Sequence, residues 1–257
     1  MKDFDCCAEP VVLRAGIFSK GEIIYMCEFN IEQYVEKIES SFREIADPEK
    51  AKKQKQYMKN KFEFFGINAQ PRRKAVRKFK REENRPDYQH LEPVIKKLWQ
   101  LPEREYQYFG TELLERYKRQ FDRDIIFLFE YMITNQSWWD TVDRIAKKLV
   151  GVYLQKFPGK REKCVSSWVD SGNIWLQRTA LLFQLDYKKE TDPDLLFEII
   201  AESKEIDEFF IQKAIGWALR EYSKVEPEQV EDYINSHQLS SLSTREGIKV
   251  INRNRSK

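Results

Sequence analysis

Two carboxylates and two indoles stand within seven residues at Ser137-Trp-Trp-Asp-Thr-Val-Asp143. An ionised aspartate can stabilise a developing positive charge or orient a water, and an aromatic face can hold a cation beside it. Spacing separates the two acids. Ser137 followed three residues later by Asp140 matches a capping-box-like helix start at about Trp138, which gives Asp140 a structural task near the positive end of the helix dipole. Asp143 lies four residues after Trp139, so that carboxylate and that indole share one helical face. A surface ion pair from Asp143 to Lys147 beside a core tryptophan fits the same spacing equally well. The rest of the chain has to decide between them.

The elements that must position these residues are helical. Hydrophobic residues make up 41% and charged residues 34% of the 257, with only 9 Gly and 9 Pro. That balance suits long amphipathic helices better than a turn-rich β fold. Residues 1–29 show no helical period and read as a poorly specified leader, with Met26 an alternative start, ahead of a single domain over 30–257. Asn30 with Gln33 opens a helix, Asp47-Pro48 breaks it and opens another, Gly66 is expected to terminate that one, and Gln70-Pro71 opens a further one. Helical segments then recur to residue 252, with Pro93, Pro102, Pro158, Pro193 and Pro227 at or near the joints. No alternating strand stands out, so the predicted fold is all-α.

Charge is unevenly placed. Lys50 to Arg85 carries fourteen Lys or Arg against Glu63, Glu82 and Glu83, whereas the whole chain is only +3, which leaves the remainder net acidic. Such a run is either a solvated helix face or a contact for a polyanion. Cys6, Cys7, Cys27 and Cys164 show no metal-ligand spacing, and His90 and His237 are far apart, which argues against a zinc site. No secretory segment or bilayer-length apolar run is present, and a reducing cytoplasmic location with free thiols is expected.

A repeat underlies the helices. Tyr108, Asp143, Arg178 and Lys213 are each 35 residues apart, and one step back lands on Arg73. Trp175-Leu-Gln-Arg-Thr-Ala180 and Phe210-Ile-Gln-Lys-Ala-Ile215 are visibly the same helix start. A fixed period of this length marks stacked helical hairpins, in which equivalent positions line up along one surface, usually the concave one. The row therefore reads Arg73, Tyr108, Asp143, Arg178, Lys213. Cations there match a phosphate backbone, and the lone acid in the middle would repel it. A mismatch of this kind is expected where function overrides affinity.

Ser137–Asp143, Asn173-Ile-Trp-Leu-Gln-Arg178, Phe209-Phe-Ile-Gln-Lys-Ala-Ile-Gly-Trp217, Tyr57-Met-Lys-Asn-Lys-Phe62 and Leu101-Pro-Glu-Arg-Glu105 resemble the motifs of the AlkD-type DNA alkylation repair glycosylases. The resemblance spans about Phe29 to Ile251. It implies a curved solenoid of HEAT-like repeats that cradles duplex DNA in a basic concave groove. It also implies hydrolysis of the N-glycosidic bond of cationic N3- or N7-alkylated purines, with no metal or organic cofactor and the lesion left stacked in the duplex. Carried over by motif, Asp143 is the catalytic carboxylate, Trp139 and Trp217 are aromatic walls beside the lesion, and Arg178 holds the DNA backbone near it.

One carboxylate suffices for that chemistry. Ordinary glycoside cleavage uses two, one of them to protonate the leaving group. An N3- or N7-alkylated purine is already cationic and leaves as a neutral base, so only the oxocarbenium-like sugar and the attacking water need help. Arg72, Arg73, Lys74, Tyr108 and Lys213 are the expected DNA contacts, and Trp99, Trp138 and Trp168 are expected in the core. The chain is expected to act as a monomer with no obligate protein partner and no membrane attachment. The competing reading is a non-catalytic helical-repeat module that binds nucleic acid; it leaves the acid at position 143 unexplained.

Overall fold

The computed structural model describes residues 14–17, 23–26, 29–82 and 85–256. Local chemistry sets the first helix starts. The Asn30 side chain accepts from the Gln33 amide at 3.0 Å and opens α1 (Ile31–Arg43). Asp47 accepts from the Lys50 amide at 3.0 Å, with Pro48 leading α2 (Pro48–Tyr57). In both, an oxygen satisfies an amide that the helix itself leaves unpaired, and proline occupies a position whose N–H has no partner to lose.

The chain continues through α3 (Ala69–Glu82), α4 (Leu91–Gln100), α5 (Arg104–Leu114), α6 (Ile125–Thr134), α7 (Trp139–Ile145), α8 (Gly151–Lys156), α9 (Arg161–Val169) and α10 (Ile174–Leu182). It closes with α11 (Pro193–Ser203), α12 (Phe209–Tyr222), α13 (Pro227–Ser236), α14 (Ser241–Gly247) and α15 (Lys249–Arg255). α7 and α8 form one unbroken helix through the π-helical stretch Ala146–Val150. Widened turns of this kind recur at functional sites. Among the described residues no helix is long and apolar enough to cross a membrane.

The 35-residue period is the spacing of helix starts. α3, α5, α7, α10 and α12 begin at Ala69, Arg104, Trp139, Ile174 and Phe209, and Arg73, Tyr108, Asp143, Arg178 and Lys213 are the fifth residues of these helices. α5 packs on α7, α7 on α10, and α10 on α12. A repeated glutamine explains part of the period. Gln107 donates to the carbonyls of Leu98 and Leu101, Gln177 to Val169, and Gln212 to Lys204 and Ile206, at 2.8–3.1 Å. Each is the fourth residue of its helix and satisfies carbonyls left open at the end of the preceding one. One core runs from Tyr34 to Ile251 and buries Trp99 and Trp168 as expected. A second cluster holds Met58, Phe62 and Trp138, with Phe64, Trp139, Trp175 and Phe210 against it.

Several expectations are corrected. Arg14–Ile17 and Ile23–Met26 pair as a short antiparallel ribbon, so the stretch without helical period contains two strands; from Ile31 onward the named elements are helices. A four-residue strand is too short for alternation to show. The readings of Cys6, Cys7 and Cys27 lie outside the described residues. Gly66 terminates no helix. α2 ends at Tyr57, and Gly66 lies in the loop beyond at φ +85°, where a Cβ would come within 2.0 Å of the Asp47 carbonyl oxygen. It is a contact glycine in a left-handed conformation. The last helical stretch, reaching past residue 252, is two short helices, α14 and α15, meeting at Ile248.

Candidate active site

α7 begins at Trp139 with Trp138 at the cap, one residue later than expected, and the capping box does not form. Ser137 instead donates to the Ile133 carbonyl at 2.7 Å. Asp143 therefore stands one turn into a helix whose first residue is Trp139.

Asp143 has no ion pair to Lys147, which lies against Asp186 at 3.9 Å. Its partner is Arg178, the equivalent residue of the next repeat. Arg178 Nε donates to Oδ1 at 2.7 Å and Nη2 to Oδ2 at 2.9 Å. Arg178 Nη1 also donates to the Phe210 carbonyl, so the guanidinium is fixed between α7 and α12. Its residue exposure is 3%, and the Asp143 side chain keeps 13%. Burial pushes the Asp143 carboxyl above its ordinary value; the Arg178 hydrogen bonds and charge oppose that, and the nearby Asp140 adds to it. Trp139 is half-buried against the second cluster, its ring edge-on to Tyr57 at 6.3 Å. Trp217 is half-buried against the main core on α12.

Asp140 does more than favour a helix dipole. Arg104, with no exposed surface, donates from Nε at 2.9 Å and Nη2 at 2.7 Å to its two oxygens. The same guanidinium donates to the Gln136 carbonyl and the Thr141 hydroxyl, both at 2.7 Å, and lies 3.9 Å over the Phe62 ring. Tyr108 donates its hydroxyl to Asp140 Oδ2 at 2.6 Å, and burial with that carboxylate holds its phenol far above the usual range. α7 is thus clamped twice, by Arg104 from α5 and by Arg178 from α10. Neither clamp was read from the sequence; the one available signal was the charged residues at 104 and 105, just inside a helix start that also carries core side chains. Glu105 likewise accepts the Phe65, Gly66 and Ile67 amides at 3.0–3.1 Å and shapes the loop in front of α3.

The basic residues divide by burial. Arg73 and Lys74 are exposed. Arg72 is 7% exposed, bonded to Glu112 at 3.2 Å and stacked 4.5 Å over the Tyr108 ring. This burial removes it from the surface cations and makes it a support for Tyr108. Lys213 is half-exposed and paired with Glu246 at 2.7 Å. Hydrogen bonds from Lys213 and Lys249 hold that carboxyl down to about 2. A cavity of about 500 Å³ opens between α2, α3, α5 and α7, with Asp140 and Tyr108 in its wall.

Comparison with known proteins places the chain in a family. Residues 38–251 match the family described as DNA alkylation repair enzyme. A solved structure of a predicted DNA alkylation repair enzyme from Enterococcus faecalis is 35% identical, with TM-score 0.74, covering 79% of this chain and 95% of that one. The Pseudomonas fluorescens alkylpurine DNA glycosylase AlkC, bound to DNA containing an abasic site analog, shares the fold at TM-score 0.53 and 16% identity. That match covers 86% of this chain and 62% of AlkC. No curated protein matches significantly. With most of its length matched and a relative above one-third identity, this chain belongs to the family of DNA alkylation repair enzymes.

Proposed function

We propose that this chain is a DNA glycosylase that hydrolyses the N-glycosidic bond of cationic N3- or N7-alkylated purines in duplex DNA. The observation that carries the reading is Asp143: the one acid in a row of otherwise cationic or phenolic residues, held by both oxygens and spaced four residues after Trp139 on one helix. Each oxygen spends one lone pair on Arg178 and keeps another. The carboxylate can therefore stabilise oxocarbenium character at the deoxyribose and orient a water toward C1′. The C–N bond breaks with its electron pair going to the cationic base, which leaves neutral. Water supplies the new C1′ hydroxyl and gives up one proton. Trp139 and Trp217 are the aromatic walls, each able to add roughly 1–2 kcal/mol of attraction for a desolvated cationic sugar.

In this reading the repeats form a curved solenoid with DNA along its concave, basic side. Arg73, Lys74 and Lys213 face phosphate, Arg72 and Tyr108 brace the site, and Arg178, buried on Asp143 and the Phe210 carbonyl, holds Asp143 in place rather than the DNA backbone. Affinity for duplex DNA should fall steeply with salt. Replacing Arg73 and Lys74 together by Gln should reduce the log–log slope by about 2. A flat salt response of the parent chain would point to a protein partner instead.

The deciding experiment is release of N3-methyladenine or N7-methylguanine from a defined duplex by the full chain. Release should rise with pH through the Asp143 titration, because only the ionised form assists, and burial raises that titration from its ordinary value. No release from either substrate at any pH would sink the proposal.

A further inference from the structure

Arg178 is spent on Asp143 and the Phe210 carbonyl. From Asp143 toward α12, Lys213 is therefore the first cation of the row that reaches solvent, and it does not stand alone. Glu246 of α14 takes Lys213 Nζ at 2.7 Å and Lys249 Nζ at 2.5 Å on one oxygen, and Arg220 Nη1 at 2.6 Å on the other. The acid reaches so close to α12 because residue 216 is glycine: a Cβ there would lie 2.5 Å from the Glu246 Cβ. Lys249, the first residue of α15, thus joins two cations of α12 that the sequence places 36 and 29 residues before it.

Three cations against one carboxylate leave two positive charges uncompensated. Arg220 alone would neutralise Glu246 and tie α14 to α12. The two lysines go beyond that need, and they repel each other, since both ammonium groups sit on one oxygen and within about 5 Å of one another. The layering decides what a ligand meets. The Glu246 side chain is 4% exposed, whereas Lys213 keeps 38% and Lys249 50% of theirs. The acid lies beneath and the cations face outward. Lysine ends already held on a buried carboxylate lose less freedom on binding an anion than free ones would. A phosphodiester, with one charge and two free oxygens, fits two ammonium groups fixed side by side and relieves their repulsion.

We propose that Lys213 and Lys249, with Arg220 beside them, form a preorganised seat for one backbone phosphate of the bound duplex, and that Glu246 beneath is the residue that positions them. The inference rests on the glycosylase reading, which supplies the DNA. Lys213, Trp217 and Arg220 are spaced four and three residues apart on α12 and so share one face, which puts the seat next to an aromatic wall of the proposed site. A phosphate contact carries no sequence information but fixes the register of the duplex. Here it would fix the register at Trp217, and the last two helices become part of the DNA surface instead of a cap on the final repeat.

Binding to the full chain tests this. Duplexes carrying a lesion analogue that resists cleavage are made with one uncharged methylphosphonate at each linkage near it in turn, and dissociation constants are measured at fixed salt. Lys249→Gln, which leaves Lys213 and Arg220 on Glu246, should weaken binding to the unmodified duplex roughly threefold or more and lower the log–log salt slope by about 1. Lys249→Arg keeps the charge and should restore it. In the parent chain one linkage should be sensitive to neutralisation, and Lys249→Gln should be indifferent to that same linkage, because the two changes remove one contact. Parent-like binding by Lys249→Gln overturns the inference, as does a parent profile with no sensitive linkage or one that Lys249→Gln leaves unchanged. Inorganic phosphate that stabilises the parent but not Lys249→Gln against heat, together with a flat linkage profile, would assign the seat to a small anion and overturn it too. Normal base release with a flat profile would end this inference and leave the proposed function standing. Absence of any DNA binding would end both.

Discussion

Asp143→Asn should lower release of alkylated purine from duplex DNA by at least roughly 10²–10³-fold, the range lost when a single preorganised electrostatic contact to a transition state is removed. Binding to the same duplex should stay intact or tighten. Asn keeps the volume of Asp and removes the negative charge that stands among the row's cations and opposes phosphate. The two readouts together separate chemistry from folding. Arg178 loses the charged half of a buried bidentate pair but keeps the Phe210 carbonyl, so some loss of stability accompanies the change, and retained DNA affinity shows that the fold survives it. Near-normal release by this variant would remove Asp143 from the chemistry and favour a binding module.

Arg104→Ala should be the most destabilising single substitution around the site, at about 3–5 kcal/mol, because it strands a carboxylate inside the protein. Arg104 has no exposed surface, and the Asp140 side chain keeps 7%. Without the guanidinium, Asp140 retains the Tyr108 hydroxyl, and the Thr141 hydroxyl and the Gln136 carbonyl each lose a partner. Thermal unfolding should show a fall in Tm of roughly 10 °C for a chain of this size. Pairing Arg104→Met with Asp140→Leu should recover much of the loss, since two apolar side chains leave no charge unpaired. A single-variant loss below about 1 kcal/mol would mean that the pair behaves like an exposed surface bridge. α7 begins at Trp139, so loosening this clamp should also slow release more than it weakens DNA binding.

Much of the site's location was legible in the sequence, because the 35-residue period is a local property. Three of the five helices that start 35 residues apart carry glutamine as their fourth residue, and those at 107, 177 and 212 reach the open carbonyls of the preceding helix. That period put Arg73, Tyr108, Asp143, Arg178 and Lys213 in one row and marked Asp143 as the exception. The motifs carried the family. Burial of Trp99, Trp138 and Trp168 also followed, since repeat helices must fill their interfaces with large side chains.

Partner choice was not legible. Asp143 has Lys147 one turn away on its own helix, and spacing made that pair as good as any other. Arg178, thirty-five residues on, takes it because packing of α10 on α7 brings their fifth residues together, and a rigid two-pronged guanidinium fits both carboxylate oxygens. Asp140 looked like a helix-start acid for the same reason: the sequence shows a residue's near neighbours but not the Arg104 and Tyr108 that packing presents to it. Arg72 and Arg73 are adjacent, chemically alike and both within ion-pair reach of Glu112, yet one is buried and the other exposed, a difference set by the 100° turn between successive helical residues and by what lies against each face. By itself the sequence determined the helices, their repeat and the family. Only the tertiary structure decided which carboxylate each arginine holds, because those pairings join groups far apart in the chain at distances set by packing.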